Sequence, residues 1–395
     1  MRLSCLQERL SECLGIVGRA VATRTTLPVT NNVLLATEDS RLKLSATNLE
    51  IGISCWLGSM VEEEGAITVP ARLLTEFVNS LPSEKINLAL ADHTLELKCA
   101  RFEARISGID AEDFPPIPKI SGGMTYQIEP EALRLAINQV VFATASEDTR
   151  PVLTGVCAEF EDDTLTLAAA DGFRLAVHKA PLVSPAKEKV EVIIPGRSLS
   201  ELNRLLPEVY EPIEIAVSQN KSQVLFRFKV EKKVKLEWRG KPEDKKVLVA
   251  DVELVSQLIQ GTFPNYRQLI PASYSTRAVI STPEFFRATK TSAIFARDGS
   301  GIVRLQITPD GGPSGKVSVS ARSEQIGDNV GEIDAKVEGE AAKIAFNGKY
   351  LTDVLGVIHE GEIALETTTP SSPGVIRPLG ADNYVHIIMP MFVQW

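Results

Sequence analysis

Leu165-Thr166-Leu167-Ala168-Ala169-Ala170-Asp171-Gly172-Phe173-Arg174-Leu175-Ala176-Val177 reads as a strand, a tight turn and a second strand. Leu165 and Leu167 alternate with Thr166 and Ala168, the period of a half-buried strand. Asp171-Gly172 offers the positive φ angles of a two-residue hairpin. The pattern recurs in Leu42-Lys43-Leu44-Ser45-Ala46-Thr47-Asn48 and in Val317-Ser318-Val319-Ser320-Ala321-Arg322-Ser323. A hairpin that occurs three times predicts a domain that occurs three times.

Working outward, each copy opens with an amphipathic helix. Leu6, Leu10, Cys13 and Val17 share one face in the first copy, and Leu133, Ile137, Val140 and Val141 in the second. In the third, Thr282-Pro283 predicts an N-cap with proline at the first helical position, ahead of Phe285, Phe286 and Thr289. After the hairpin, a strand runs into a second helix at Pro70-Ala71-Arg72, Pro195-Gly196-Arg197 and Asn347-Gly348-Lys349. The helices are expected over 4–21, 71–81, 129–143, 197–206, 283–297 and 349–358.

The spacings support a true repeat. Leu42 to Pro70 is 28 residues, and Leu165 to Pro195 and Val317 to Asn347 are 30 each. From these junctions to the closing Phe114-Pro115, Phe263-Pro264 and Met389-Pro390 the distances are 44, 68 and 42. The second copy therefore holds about two dozen extra residues near 229–249, a basic run interrupted by Trp238. They form either a longer surface hairpin or an additional contact with nucleic acid. Linkers at Ser121-Gly122-Gly123 and Pro271–Ser275 divide the chain into domains 1–123, 124–273 and 274–395.

A chain of 395 residues with 44% hydrophobic content accommodates such cores. No apolar run is long enough to cross a membrane and the N-terminus has no secretory h-region, so a cytoplasmic location is expected. Cys5, Cys13, Cys55, Cys99 and Cys157 are scattered and never form a CxxC, a pattern of reduced thiols. Neither they nor the four histidines suggest a metal, and no cofactor is expected.

Net charge is −9, which by itself speaks against a polyanionic partner. Its distribution says otherwise. The expected helices carry ten basic and eight acidic residues, so +2 lies on helices and −11 on strands and loops. Such a split suits helices that face a polyanion and sheets that face solvent. Ordinary amphipathic helices with solvated polar faces would also account for it. Glu161-Asp162-Asp163 and Glu62-Glu63-Glu64 raise the alternative of a β-rich hydrolytic enzyme with paired carboxylates. They stand in turn-like polar runs, and no GxSxG, HExxH or Walker-type loop accompanies them.

Five stretches in order complete the pattern: Thr26-Leu27-Pro28 with Asn32-Val33-Leu34-Leu35; Asp148-Thr149-Arg150-Pro151-Val152-Leu153-Thr154-Gly155; Asp171–Ala176; Phe263-Pro264-Asn265-Tyr266-Arg267; and Ile388-Met389-Pro390-Met391. Through them the whole chain resembles the bacterial sliding clamps, the beta subunits of DNA polymerase III. The resemblance implies an α+β DNA-clamp fold, with three repeated domains per chain, each with two helices packed on antiparallel sheets. It implies a head-to-tail homodimer, a six-domain ring around duplex DNA that slides freely. Such a ring is a non-catalytic processivity subunit that tethers the replicative polymerase, the clamp loader and repair proteins.

The same resemblance implies a pocket for a short peptide bearing a Gln and paired apolar residues. Its positions would be Leu153, Ala170, Gly172, Phe173, Arg174, Leu175, Pro264, Gln268, Leu269, Ile387, Ile388, Met389, Pro390 and Met391. Read without it, Ile387–Met391 is a core strand. Ala170, Phe173, Gln268 and the tail Phe392-Val393-Gln394-Trp395 depart from the family's usual residues, which bears on peptide preference. DNA contacts are expected from Arg24 and Arg150 on loops and from Arg72, Arg134, Arg197, Arg204, Arg287, Lys290 and Lys349 on helices. The dimer seam is expected at Ile106 and Ile294-Phe295, with Phe295 equally suited to the core.

Overall fold

The computed structural model describes residues 1–22, 27–120, 122–147, 149–238, 241–296, 301–312, 314–325, 327–358 and 361–395, with 234–238 and 241–245 as backbone only. Arg24, Ser121, Asp148 and Arg297 lie outside the described residues.

The first copy runs β1 (Arg2–Leu6), α1 (Gln7–Val17), β2 (Asn32–Glu38), β3 (Arg41–Thr47), β4 (Ile51–Leu57), β5 (Met60–Glu63), β6 (Ala66–Pro70), α2 (Ala71–Ser80), β7 (Lys85–Ala91), β8 (Thr94–Cys99) and β9 (Phe102–Ser107). The second runs β10 (Met124–Ile128), α3 (Pro130–Val140), β11 (Gly155–Glu161), β12 (Thr164–Ala170), β13 (Arg174–Pro181), β14 (Val190–Pro195), α4 (Gly196–Leu205), β15 (Ile213–Val217), β16 (Gln223–Trp238) and β17 (Lys241–Gln257). The third runs β18 (Thr276–Ser281), α5 (Thr282–Ala296), β19 (Ile302–Pro309), β20 (Ser314–Ser323), β21 (Gly327–Gly339), β22 (Ala342–Asn347), α6 (Gly348–Ile358), β23 (Glu362–Thr367), β24 (Gly374–Pro378) and β25 (Tyr384–Ile388). The second and third copies share one element order, and the first differs only by the short β5.

The chain packs as two compact units. One comprises residues 1–133, 182–184 and 197–258. It contains a five-stranded sheet, β5-β1-β7-β8-β9, and an eight-stranded sheet, β10-β15-β16-β17-β4-β3-β2-β6. The other comprises 134–181, 185–196 and 259–395, with one twelve-stranded sheet, β14-β11-β12-β13-β25-β24-β23-β18-β21-β20-β19-β22. All the pairings are antiparallel. Copies join through their sheets: β4 pairs with β17 in one unit, and β13 with β25 in the other.

The three strand-to-helix junctions form where the spacing placed them. Proline at positions 70 and 195 closes a strand, and Asn347 Oδ1 accepts a hydrogen bond from Lys349 N (2.9 Å), capping α6. Leu10, Cys13, Leu14 and Val17 of α1 are buried. The expected start of that helix is displaced, because residues 2–6 form β1 and leave Leu6 exposed. Pairing with β7 satisfies that segment's backbone groups better than one more helical turn would. The cap expected at Thr282 also differs. Helix α5 begins at Thr282 itself, and its buried hydroxyl has no hydrogen-bond partner among the described residues.

The organising hairpin turns one residue later than expected. Ala170 pairs with Leu175, so the central turn residues are Gly172 and Phe173. Only Gly172 takes a positive φ, +93°, which glycine adopts at no steric cost. Asp171 instead accepts from Phe173 N (2.8 Å) and Arg174 N (3.0 Å) through its carboxylate. The first copy repeats this with Asn48 accepting from Glu50 N and Ile51 N, and Leu49 at φ +76°. The third closes differently, with Ser323 opposite Gly327. The extra residues of the second copy are a hairpin extension of β16 and β17.

Candidate functional site

Strand alternation separates the two faces of the sheet around β13 and β25. On one face Ala170, Leu175, Ile387 and Val375 stand side by side across four strands, with Ala168, Val177 and Val385 in the next row. Leu153, Ile193, Phe263 and Tyr266 pack onto these rows as one apolar cluster. Phe263 and Tyr266 meet edge to face at 6.3 Å. Burial pushes the Tyr266 hydroxyl up to about 12, so it stays neutral.

The cluster is the floor of the expected pocket, and its rim is open. Leu175 is only 2% exposed, and Leu153 and Ile387 are buried likewise. Phe173 is 59% exposed, Leu269 is 54% exposed, and Met389 is exposed too. Gly172, Pro264 and Gln268 are exposed, and Ala170, Pro390 and Met391 are half-buried. Met389 N donates to Phe173 O (2.8 Å), which ties the C-terminal segment to the hairpin turn. This arrangement offers a bare apolar surface around a backbone that Gly172 leaves uncovered.

Two expected pocket residues face the other way. Arg174 and Ile388 pair with each other on the opposite face of the sheet, and both are buried. The Arg174 guanidinium donates to Phe142 O (2.7 Å), Asp171 Oδ2 (3.1 Å) and Asp353 Oδ2 (2.7 Å). The Tyr350 and Phe142 rings lie 4.4 and 5.3 Å from it. Arg174 therefore anchors the hairpin to α6 and leaves the pocket wall to Leu175. The same face buries His178, whose Nδ1 lies 2.8 Å from Gln139 Oε1, and His386, which stacks on Phe142 and Tyr384. Burial drives His178 down to about 4 and His386 to about 3, with the Arg174 charge adding to the latter.

Sequence reasoning missed Phe263, Tyr266 and Val375 as part of this floor, although the Phe263–Arg267 motif was visible. It also assigned Arg150 to DNA alone. A side chain at Gly172 would meet Arg150 Nη2 at 3.3 Å, so the guanidinium lies beside the turn at the pocket's edge.

Three of the other expected DNA contacts are held by acids. Arg72 is bound to Glu76 (2.8 Å), Arg204 to Glu201 (2.6 Å) and Lys349 to Asp353 (3.2 Å), each on its own helix. Arg197, Arg287 and Lys290 are exposed, and Arg134 is half-buried. Lys290 lies 5.8 Å from the Phe286 ring centre.

At the expected seam, Ile106 is 4% exposed. Its side chain is buried in its own sheet's core, where it pairs with Leu95. On the same outer strand, β9, Phe102 is 53% exposed. Ile294 is exposed and Phe295 half-buried. The carboxylates considered for hydrolysis are solvated: Glu161-Asp162-Asp163 form the β11–β12 turn with Asp162 at φ +51°, and Glu63 pairs with Arg2. None of the described helices is long and apolar enough to cross a membrane.

Comparison with known proteins accounts for nearly the whole chain. Models of the DNA polymerase III beta subunit match in succession: its N-terminal domain over residues 1–118, its central domain over 127–265 and its C-terminal domain over 267–392. The beta sliding clamp of Synechococcus elongatus is 30% identical over 396 residues, covering 99% of each chain. The crystal structure of the Bacillus subtilis DNA polymerase sliding clamp is similar at a TM-score of 0.89 and 29% identity, covering 100% of both chains. The beta sliding clamp of C. crescentus, solved with polyethylene glycol bound at what is described as its beta-motif tethering region, is similar at a TM-score of 0.85 and 27% identity, again over 100% of both.

Proposed function

Because the chain belongs to the family of DNA polymerase III beta subunits, the sliding clamps of replication, we propose that two copies close head to tail around duplex DNA and hold the polymerase there by a short peptide. As a sliding clamp the protein is a non-catalytic processivity factor with DNA and polymerase as partners. The three domains span 1–123, 124–273 and 274–395, and the site of action is the cytoplasm, where the five buried, unpaired cysteines stay reduced.

The internal repeat supports the ring. Each junction between copies pairs a hairpin strand of one with the last strand of another, β4 with β17 and β13 with β25. The third equivalent pair would be β21 with β9. Among the described residues, strand β9 has β8 as its only neighbour, and β21 over Gly327–Asp334 has only β20. A second copy supplies the missing strand, β9 of one protomer on β21 of the other. Exposed Phe102, Val330 and Ile294 then make the apolar part of the seam.

The β13–β25 pairing carries the partner reading. It sets Leu175 against Ile387 beneath an open rim of Phe173, Leu269, Met389 and Pro264. Apolar side chains of a Gln-containing peptide from the polymerase, clamp loader or repair proteins pack on that surface, and polar groups of the peptide meet Gln268 and Arg150. Each buried aliphatic or aromatic side chain contributes about 1.5–3 kcal/mol before ordering costs. A flexible peptide loses several kcal/mol to ordering, which leaves roughly micromolar affinity and lets partners exchange.

Duplex DNA is held by topology, with weak phosphate contacts from Arg134, Arg150, Arg197, Arg287 and Lys290. Arg72, Arg204 and Lys349 contribute less, being tied to acids on their own helices. The experiment that tests the reading loads the protein on nicked circular duplex. Retention on the circle and release on linearisation is expected. Equal release from both forms would refute the ring.

A further inference from the structure

The extension of β16 and β17 is unlike anything in the other two copies. β15 supports β16 only up to Arg227, and β4 supports β17 only from Asp251 onward. Between them, residues 228–238 and 241–250 form a two-stranded ribbon with no third strand among the described residues, its ladder running from Phe228↔Val252 to Trp238↔Lys241 with one register shift between Val230 and Glu231. By sequence the stretch 228–250 holds eight Lys or Arg and four Asp or Glu, a net +4 in a chain of −9.

At its base Lys233 stands directly opposite Lys246 on the neighbouring strand. Like charges opposed across strands destabilise a ribbon. Both ammonium groups lie over the same ring, Tyr210, at 5.0 and 4.4 Å, and neither joins an ion pair among the described residues. Both side chains are exposed. Two cations fixed on one aromatic platform, neither paired to a carboxylate among the described residues, make a site for an anion. Its neighbours indicate which. Lys232 binds Glu12 of α1, and Tyr210 follows the turn that ends α4, so the ribbon rises from the helical side of this unit. In the reading above, these helices face the duplex.

We propose that Lys233 and Lys246, mounted on Tyr210, form a second duplex-DNA contact that grips phosphates beside those met by the helices. The inference rests on the clamp reading and adds a contact peculiar to the second copy's ribbon. It is non-specific, since ammonium groups on phosphates carry no base information.

The test measures binding of a fluorescent 30-base-pair duplex by the full-length protein across a salt series. It compares wild type, Lys233→Ala/Lys246→Ala and Lys233→Arg/Lys246→Arg. The alanine pair should bind roughly three- to tenfold more weakly at low salt and lower the log–log salt slope by about 2, as loss of two phosphate contacts requires. The arginine pair should keep both affinity and slope. Unchanged affinity and slope in the alanine pair overturn the proposal, and a parallel loss of polyglutamate binding would assign the ribbon to an acidic protein instead. Absence of duplex binding by wild type at any salt would also overturn the proposal, whereas the clamp reading falls only if the protein is not retained on the nicked circle.

Discussion

Arg174 Nη1 lies 2.7 Å from Asp353 Oδ2, binding the second copy's hairpin to the third copy's helix α6. The same guanidinium reaches Asp171 and the Phe142 carbonyl, so one side chain satisfies three acceptors in a nearly dry place. Its planar fork allows this; an ammonium cannot match it. Arg174→Met should lower stability by about 2 kcal/mol, because Asp171, Asp353 and the Phe142 carbonyl each lose a charged donor and the carboxylates keep only the turn's backbone N–H groups and Lys349. Arg174→Lys should recover only part. Chemical unfolding measures both, and a loss under about 1 kcal/mol for Arg174→Met would show the cluster to be incidental.

Peptide binding should depend on the rim more selectively than on the floor. Leu269→Asp and Met389→Asp change exposed side chains and should weaken a Gln-containing apolar peptide at least tenfold while the unfolding midpoint holds. Leu175→Asp buries a charge in the cluster and should destabilise the whole unit. Fluorescence anisotropy beside thermal melts separates the two effects. Full affinity in both rim variants would place the partner site elsewhere.

The seam should behave likewise. Phe102→Asp or Val330→Asp should produce folded monomers by light scattering, since each sets a charge in an apolar contact between copies. Ile106→Asp should unfold its domain, because that side chain lies inside its own sheet. A dimer that survives both Phe102→Asp and Val330→Asp would rule out β9 on β21.

Freeing a paired cation should strengthen DNA binding. Glu76→Gln releases Arg72 and removes a negative charge from the same helix, so affinity for duplex at low salt should rise about two- to threefold, alike for all sequences. Arg197→Ala should lower it and flatten the salt slope by about 1. A salt titration of both variants decides, and a slope unmoved by Arg197→Ala removes that residue from the DNA surface.

Acid should destabilise the fold before its carboxylates titrate. His178 and His386 are held neutral by burial, near 4 and 3, while in the unfolded chain they take up protons near 6.5. Protons then favour the unfolded state, so stability falls as pH drops below about 6.5, by up to about 1.4 kcal/mol per pH unit for each histidine. The window from 6.5 to about 4.5 belongs to the histidines, because Glu38, lowered to about 2, loses its contribution only under more acid conditions. His386→Phe, set between the Phe142 and Tyr384 rings, should flatten the urea midpoint across that window. An unchanged pH slope in that variant would contradict the argument.

Periodicity was enough to expose three copies, their paired helices and the strand-to-helix junctions, because those features repeat locally every few residues. The extended hairpin of the second copy was visible as a spacing, 68 residues against 44 and 42. Local signals misjudged the first helix at residues 2–6, where a pairing with β7 far along the chain decides the state. Most of the pocket positions came from the family resemblance, and composition alone would have left Ile387–Met391 as a core strand.

Only the tertiary structure assigned those positions to faces. In a strand, neighbouring residues point to opposite sides, so Leu175 and Ile387 join the apolar cluster beside Leu153 and Phe263 while Arg174 and Ile388, one step away, lie on the other face. Ile106 and Phe102 share β9, yet one is core and the other open. Arg72 and Lys349 carry the charge the sequence declares, but a carboxylate one turn along each helix holds it. Residue type and spacing were written in the chain; which side of the sheet each residue took, and which neighbour met its charge, followed from register between strands distant in sequence, which no local pattern encodes.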